Sequence, residues 1–260
     1  DNTITDSKGI YLNPGTISGD VTWNQDDVYV ISTSYRSYSI TVNQGATLTI
    51  PQSKIIKFVK KHKSGSAGYW HYAGLSIGGS LIADGTQDSP IVFTSYSDDS
   101  YGGDTNGDGD ESSPSKRDWT GIKLTDTDGE NILDNVVVKY ASATINSESS
   151  NLTLTNSTIS DNSSVLFLWN NSSATITGNA IIDNSGVGIY LRESSHADIL
   201  DNTISDNGGS GIQLRGSSPE ITNNLITGNS ANSYGGAIYC YNSSPTIINN
   251  TITGNSANSY

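Results

Sequence analysis

The densest chemistry in the chain lies between Thr94 and Trp119, where Asp98, Asp99, Asp104, Asp108, Asp110 and Glu111 crowd a stretch rich in Gly, Asn and Ser. Within it, Asp104-x-Asn106-x-Asp108-Gly109-Asp110 alternates oxygen-bearing side chains and sets a Gly where a sharp turn is needed. That is the first half of an EF-hand-type calcium loop, so Asp104, Asn106, Asp108 and Asp110 are the expected ligands of a structural calcium. The second half departs from the pattern: Ser115 stands where the bidentate Glu belongs, with Glu111 and Asp118 as nearby substitutes. Carboxylates this close repel one another, and a cation that neutralises them should order the loop.

A second group is cationic and aromatic. Gly188-Ile189-Tyr190-Leu191-Arg192 and Gly211-Ile212-Gln213-Leu214-Arg215 repeat one pattern, Gly121-Ile122-Lys123-Leu124 shares it, and Leu166-Phe167-Leu168 and Ile238-Tyr239-Cys240 hold the same place in their repeats. Alternation over so few residues is strand-like, so Ile and Leu point to one side and the residues between them to the other. The outward positions then form two columns: Lys123, Phe167, Tyr190, Gln213, Tyr239, and Thr125, Trp169, Arg192, Arg215, Tyr241. Aromatic rings offer apolar surface to sugars and Arg pairs with carboxylates, so Phe167, Trp169, Tyr190, Arg192, Arg215, Tyr239 and Tyr241 are candidate ligands of a polysaccharide or cell-surface glycan. The competing reading is a stack that only stabilises the fold.

These columns need a repeating scaffold, and the chain supplies one. Ser217-Ser218-Pro219 returns as Ser243-Ser244-Pro245, and Asn229 to Tyr234 returns as Asn255 to Tyr260. Stepping backwards, Ile252, Ile226, Ile204, Ile181, Ile159 and Val137 align at intervals of 22 to 26 residues. Short strands recurring in a fixed order can pair only with their counterparts one coil away, which predicts an all-β solenoid: a single-stranded parallel β-helix. Two Asn columns, 162, 184, 207, 229, 255 and 179, 202, 224, 250, are expected at its corners as hydrogen-bonded ladders, with Asn accepting left-handed turn angles. One domain over 1–260 is expected, with less regular coils in 1–95, the acidic insertion in 96–118 and regular coils in 119–260.

The N-terminal half carries Gly45-Ala46-Thr47-Leu48-Thr49-Ile50-Pro51, Ile55-Ile56-Lys57-Phe58, Gly78 to Thr86, Pro90 to Ser95, and then Trp119-Thr120-Gly121-Ile122. This series resembles the opening of exported bacterial and archaeal right-handed β-helix proteins of the pectate-lyase-like superfamily. The resemblance covers nearly the whole chain and implies the right-handed coil, but its members include lyases, hydrolases, epimerases, adhesins and structural surface proteins. A lyase of this kind implies an Arg or Lys base beside a cation, a role open to Arg192 or Arg215. A hydrolase of this kind implies clustered Asp residues with Gly-His-Gly, which the chain lacks: His62, His71 and His196 stand in other contexts.

Composition narrows the partners. A net charge of −13 argues against nucleic acid, and no apolar run is long enough to span a membrane. The single Cys240 excludes an internal disulfide and reads as a buried, inert thiol. Lys60-Lys61-His62-Lys63 reads as an exposed basic loop, and Asp183, Asp198, Asp201 and Asp206 as solvated corner residues. Seven sequons, starting at Asn151, Asn156, Asn162, Asn170, Asn171, Asn242 and Asn249, and a start at Asp1 without any Met fit an exported chain whose leader has been removed, or an artificial boundary. The stop at Tyr260, in mid-coil, predicts either further repeats or self-association through open coil ends. The expected function is that of a secreted or cell-surface β-helix with a structural, adhesive or carbohydrate-binding role, stabilised by calcium. The alternative is a calcium-dependent uronate lyase.

Overall fold

The structure, a computed structural model, describes residues 9–33, 39–62, 70–164 and 166–258. Its strands assemble into three long parallel sheets, here A, B and C, of ten, nine and nine strands. One turn of chain runs through Thr203–Ser205 in sheet A, Ile212–Arg215 in sheet B and Glu220–Thr222 in sheet C, then returns to sheet A at Leu225–Thr227. The buried apolar side chains of this turn are Ile204, Ile212, Leu214 and Ile221, too few for a globular core but enough when every coil covers the next.

The interior file of sheet A shows how the stack closes. Ile159 pairs in register with Ile181, then Ile204, Ile226 and Ile252. Burial of each of the first four is essentially complete, worth roughly 1.5–3 kcal/mol per side chain. One coil earlier the expected register slips. Val138, not Val137, stacks on Ile159, because Val136 and Val138 alternate inward and leave Val137 half-exposed. The file continues through Phe93, Ile56 and Tyr29 to Ile10.

Corners are held by side-chain ladders. Asn162, Asn184, Asn207 and Asn229 each donate Nδ2 to Oδ1 of the Asn one coil on, at 2.9–3.1 Å, ending at Asn255. Asn179, Asn202 and Asn224 do the same, ending at Asn250. The left-handed angles fall on the preceding residues instead, among them Asp161, Asp183, Asp206, Asp201 and Asn223, with φ of 55–58°. Placing the turn there leaves the ladder Asn free to aim its amide inward. Asn162 is buried in its ladder, which removes its sequon from the accessible set. Asp198 is no corner residue: it lies within the strand His196–Leu200.

A third ladder, of serines, fixes the corner between sheets B and C. The Ser150 amide donates to Ser172 Oγ, Ser172 to Ser195 Oγ and Ser217 to Ser243 Oγ. Glycine in the Gly-Ile-x-Leu pattern answers to the same close stacking. At Gly121, φ is 110° and a Cβ would sit 1.5 Å from the Ala143 carbonyl oxygen.

Two expectations fail at the margins of the stack. Lys60–His62 is a strand, paired antiparallel with Trp70–Tyr72, where a loop was expected; Lys63 lies outside the described residues. Cys240 occupies the inward column above Leu214 but is exposed, because no described coil lies over it. Ile252 and Ile247 are uncovered for the same reason. Tyr260 lies outside the described residues.

Candidate functional site

Sheet B carries the outward columns. Phe167 stands in register with Tyr190, Tyr190 with Gln213, and Gln213 with Tyr239; Arg192 pairs with Arg215, and Arg215 with Tyr241. The first ladder also contains Asn146, and the second Glu148, which join Lys123 and Thr125 below to Phe167 and Trp169 above. This coil departs from the Gly-Ile-x-Leu pattern, because Ser147 replaces its Leu. The spacing of Ile145 between Ile122 and Leu166 was the available signal.

The rings turn their faces along the stack. Phe167 stacks on Tyr190 at 5.0 Å between centroids and 23°, and lies nearly parallel to Trp169 at 6.1 Å. Trp169 Nε1 donates to Asn146 Oδ1 at 2.9 Å, which fixes the indole. These three residues are therefore half-buried, with ring faces engaged by one another, where open flat faces were expected. Tyr234 stacks on Tyr239 at 5.6 Å and remains half-exposed, and Tyr241 is 57% exposed. Charge divides the stripe. Lys123 pairs with Glu148 at 3.4 Å, Arg192 with its neighbour Glu193, and Arg215 is exposed with no ion-pair partner among the described residues.

The acidic insertion belongs to another part of the surface, the corner between sheets A and B, and folds back over sheet A. Tyr96 meets Tyr11 edge-on, and Lys57, outward from the strand Ile55–Phe58 yet fully buried, donates Nζ to the Gly103 carbonyl at 2.7 Å. Burial holds the Lys57 ammonium below its usual pKa, a shift opposed by the charges of Asp99, Asp98 and Asp104. Beneath the loop sits Trp119, buried, stacked on Phe58 at 4.0 Å and donating Nε1 to the Lys139 carbonyl. Sequence gives no sign of a lysine under this cap: Lys57 reads there as an ordinary outward strand residue.

Within the loop, oxygens of Asp99, Asp104 and Asp108 lie within 4.8 Å of one another. Asp104 accepts the backbone amides of Gly107, Asp108 and Gly109, the turn expected of the first position of a calcium loop. Asn106 directs its Nδ2 to Asp108 and Ser112, and Asp110 is exposed outside the triad. Asp118 is no substitute ligand: it is buried and accepts from Lys60, Ser95 and the Ser115 amide. Two carboxylate oxygens, Asp99 Oδ1 and Asp108 Oδ1, are buried without a hydrogen-bond partner. Burial and the neighbouring aspartates hold Asp99 above the usual carboxylate pKa, against the pull of Lys57. A hard oxygen-seeking dication fits this donor set.

Comparison with known families now places the chain. The profile described as "Right handed beta helix region" matches residues 110–257, and that of the "Pectate-lyase like beta helix domain" matches residues 15–167. This chain belongs to the right-handed β-helix family. No curated protein and no solved structure matches this β-helix. Among the described residues no helix is long and apolar enough to cross a membrane.

Proposed function

We propose that this β-helix is an extracellular or cell-surface protein that holds a polysaccharide along sheet B without cleaving it, and that calcium stabilises its corner insertion. The observation that carries the reading is the register of Arg192 and Arg215 beside the aromatic column. Coils repeat at ~4.8 Å, so the two guanidinium groups recur at nearly the same short step and suit an extended acidic or neutral chain laid along the axis. Phe167, Trp169 and Tyr190 form a half-buried ridge beside them, while Tyr239 and Tyr241 extend it towards the last described coil.

Binding is favoured over lysis because a lyase needs its base and its cation at one carbon of the substrate. Here the carboxylate triad rests on sheet A through Lys57, whereas both arginines end strands of sheet B. The test pairs a glycan array with an absorbance assay for unsaturated uronate, on wild type, Trp169→Ala and Arg215→Ala. Binding without product, weakened by either substitution, is the expected outcome. Product formation abolished by Arg192→Ala or Arg215→Ala would replace this reading with the lyase.

A further inference from the structure

Sheet C carries a groove that neither the stripe nor the insertion uses. It encloses about 590 Å³, within the range of small-molecule sites, and crosses four coils. Its floor is one outward column, Ile132, Thr153, Thr175 and Asp198 in register, beside a second of Asn151, Ser173 and His196. Three coil steps at ~4.8 Å make it roughly 14 Å long.

One wall is built in advance. The segment 126–130 is bound to the coils on both sides: Gln44 Nε2 donates to the Asp126 carbonyl, the Gly45 amide to Asp128 Oδ2, and the Thr127 amide to Ser150 Oγ. Asn131 Nδ2 ties Thr127 Oγ1 from within. The carboxylate of Asp128 is thus held in place at one end, and a ligand need not order it. At the other end His196 and Asp198 form a pair at 3.3 Å. Between them Ser173 Oγ donates to Asn151 Oδ1, and the hydroxyls of Thr153 and Thr175 make no hydrogen bond among the described residues.

The lining selects by charge. It contains Asp128, Glu130 and Asp198 but neither Lys nor Arg, and its His196 is already turned to Asp198, so an anionic chain would meet mostly like charge. Hydroxyls recurring one coil apart on the floor suit a ligand that itself carries hydroxyl groups, and carboxylates at both ends suit ammonium groups. We propose that this groove binds a short amino-sugar chain, whose free ammonium groups meet Asp128 and Asp198 and whose hydroxyls meet Thr153 and Thr175. The face opposes the sheet B stripe in charge, and the site is independent of the function proposed for that stripe.

Calorimetry with a β-linked glucosamine tetramer, its fully N-acetylated counterpart and spermine tests this. The free-amine tetramer should bind one to one, at least ten-fold tighter than either of the others. Asp128→Asn with Asp198→Asn should weaken it at least ten-fold and flatten its salt dependence. Thr175→Arg should abolish it, while Trp169→Ala on the sheet B stripe leaves it unchanged. Unaltered melting curves verify that the variants fold. Equal binding of the N-acetylated tetramer that persists in Trp169→Ala would overturn the ammonium contacts, equal binding of spermine would overturn the hydroxyl floor, and indifference to Thr175→Arg would overturn the site.

Discussion

Replacing Asn207 by Ala tests the ladder at a fully buried rung in its middle. The side chain is 1% exposed and makes four hydrogen bonds: Nδ2 donates to the Ile181 carbonyl and to Asn229 Oδ1, and Oδ1 accepts from the amide and the Nδ2 of Asn184. Not all of these partners are stranded by its loss. Asn229 Oδ1 still accepts from the Asn207 amide and Asn184 Nδ2 still reaches the Ile159 carbonyl. The Asn184 amide loses its acceptor and the Ile181 carbonyl loses a donor. Each buried group left unsatisfied costs about 1–3 kcal/mol, so the substitution should cost about 2–6 kcal/mol, a large share of a typical folding free energy. Urea unfolding of Asn207→Ala, beside the exposed Asn151→Ala as control, reads this directly. Asn151→Ala should stay within about 0.5 kcal/mol of wild type. A loss below about 1 kcal/mol at Asn207 would refute the claim that the ladder holds this corner.

Three further outcomes are expected. Calcium should raise the melting temperature of wild type after chelation, while Asp99→Asn should stabilise the ion-free protein, whose raised Asp99 pKa marks an unfavourable charge, and should lose the calcium response; an unchanged response would place the ion elsewhere. Because Lys57 is held below its usual pKa, its burial penalty is present while the unfolded lysine is charged and is relieved as pH rises from the depressed value towards 10.5; stability relative to Lys57→Gln should therefore rise across that window, and parallel pH curves would count against it. The Cys240 thiol is exposed but its pKa is raised by partial burial, so a thiol reagent should label it in the folded protein, slowly at neutral pH and faster under alkali; no labelling without denaturant would contradict the exposed position.

How much of this was legible in the residues depends on whether a neighbour one coil away repeats the same text. The files of Ile159 to Ile252 and both Asn ladders do repeat, and their register was readable. Val137 misled because consecutive valines look alike in sequence, and only the alternation of burial separates them. Cys240 misled because its column is interior by pattern, whereas burial depends on the coil beyond. The handedness of the corners shifted by one residue because Asp and Asn share the capacity for positive φ, and the ladder needs the Asn side chain inward. Lys57, Asp99 and the wall 126–130 stayed hidden because their partners lie far away in sequence and come from segments that do not repeat.

The acidic insertion touches more of the stack than its own coil. Tyr96 reaches back to Tyr11, Arg117 donates to Ser163 Oγ, and Lys116 donates to the Asp183 carbonyl. A solenoid otherwise resembles links loaded in series, where each coil knows only its neighbours. A brace bridging several links makes that span yield together, while coils past Asp183 are left to peel singly. Under force or protease, the braced coils from Tyr11 to Asp183 should therefore give way as one unit and resist longest where the brace is bolted.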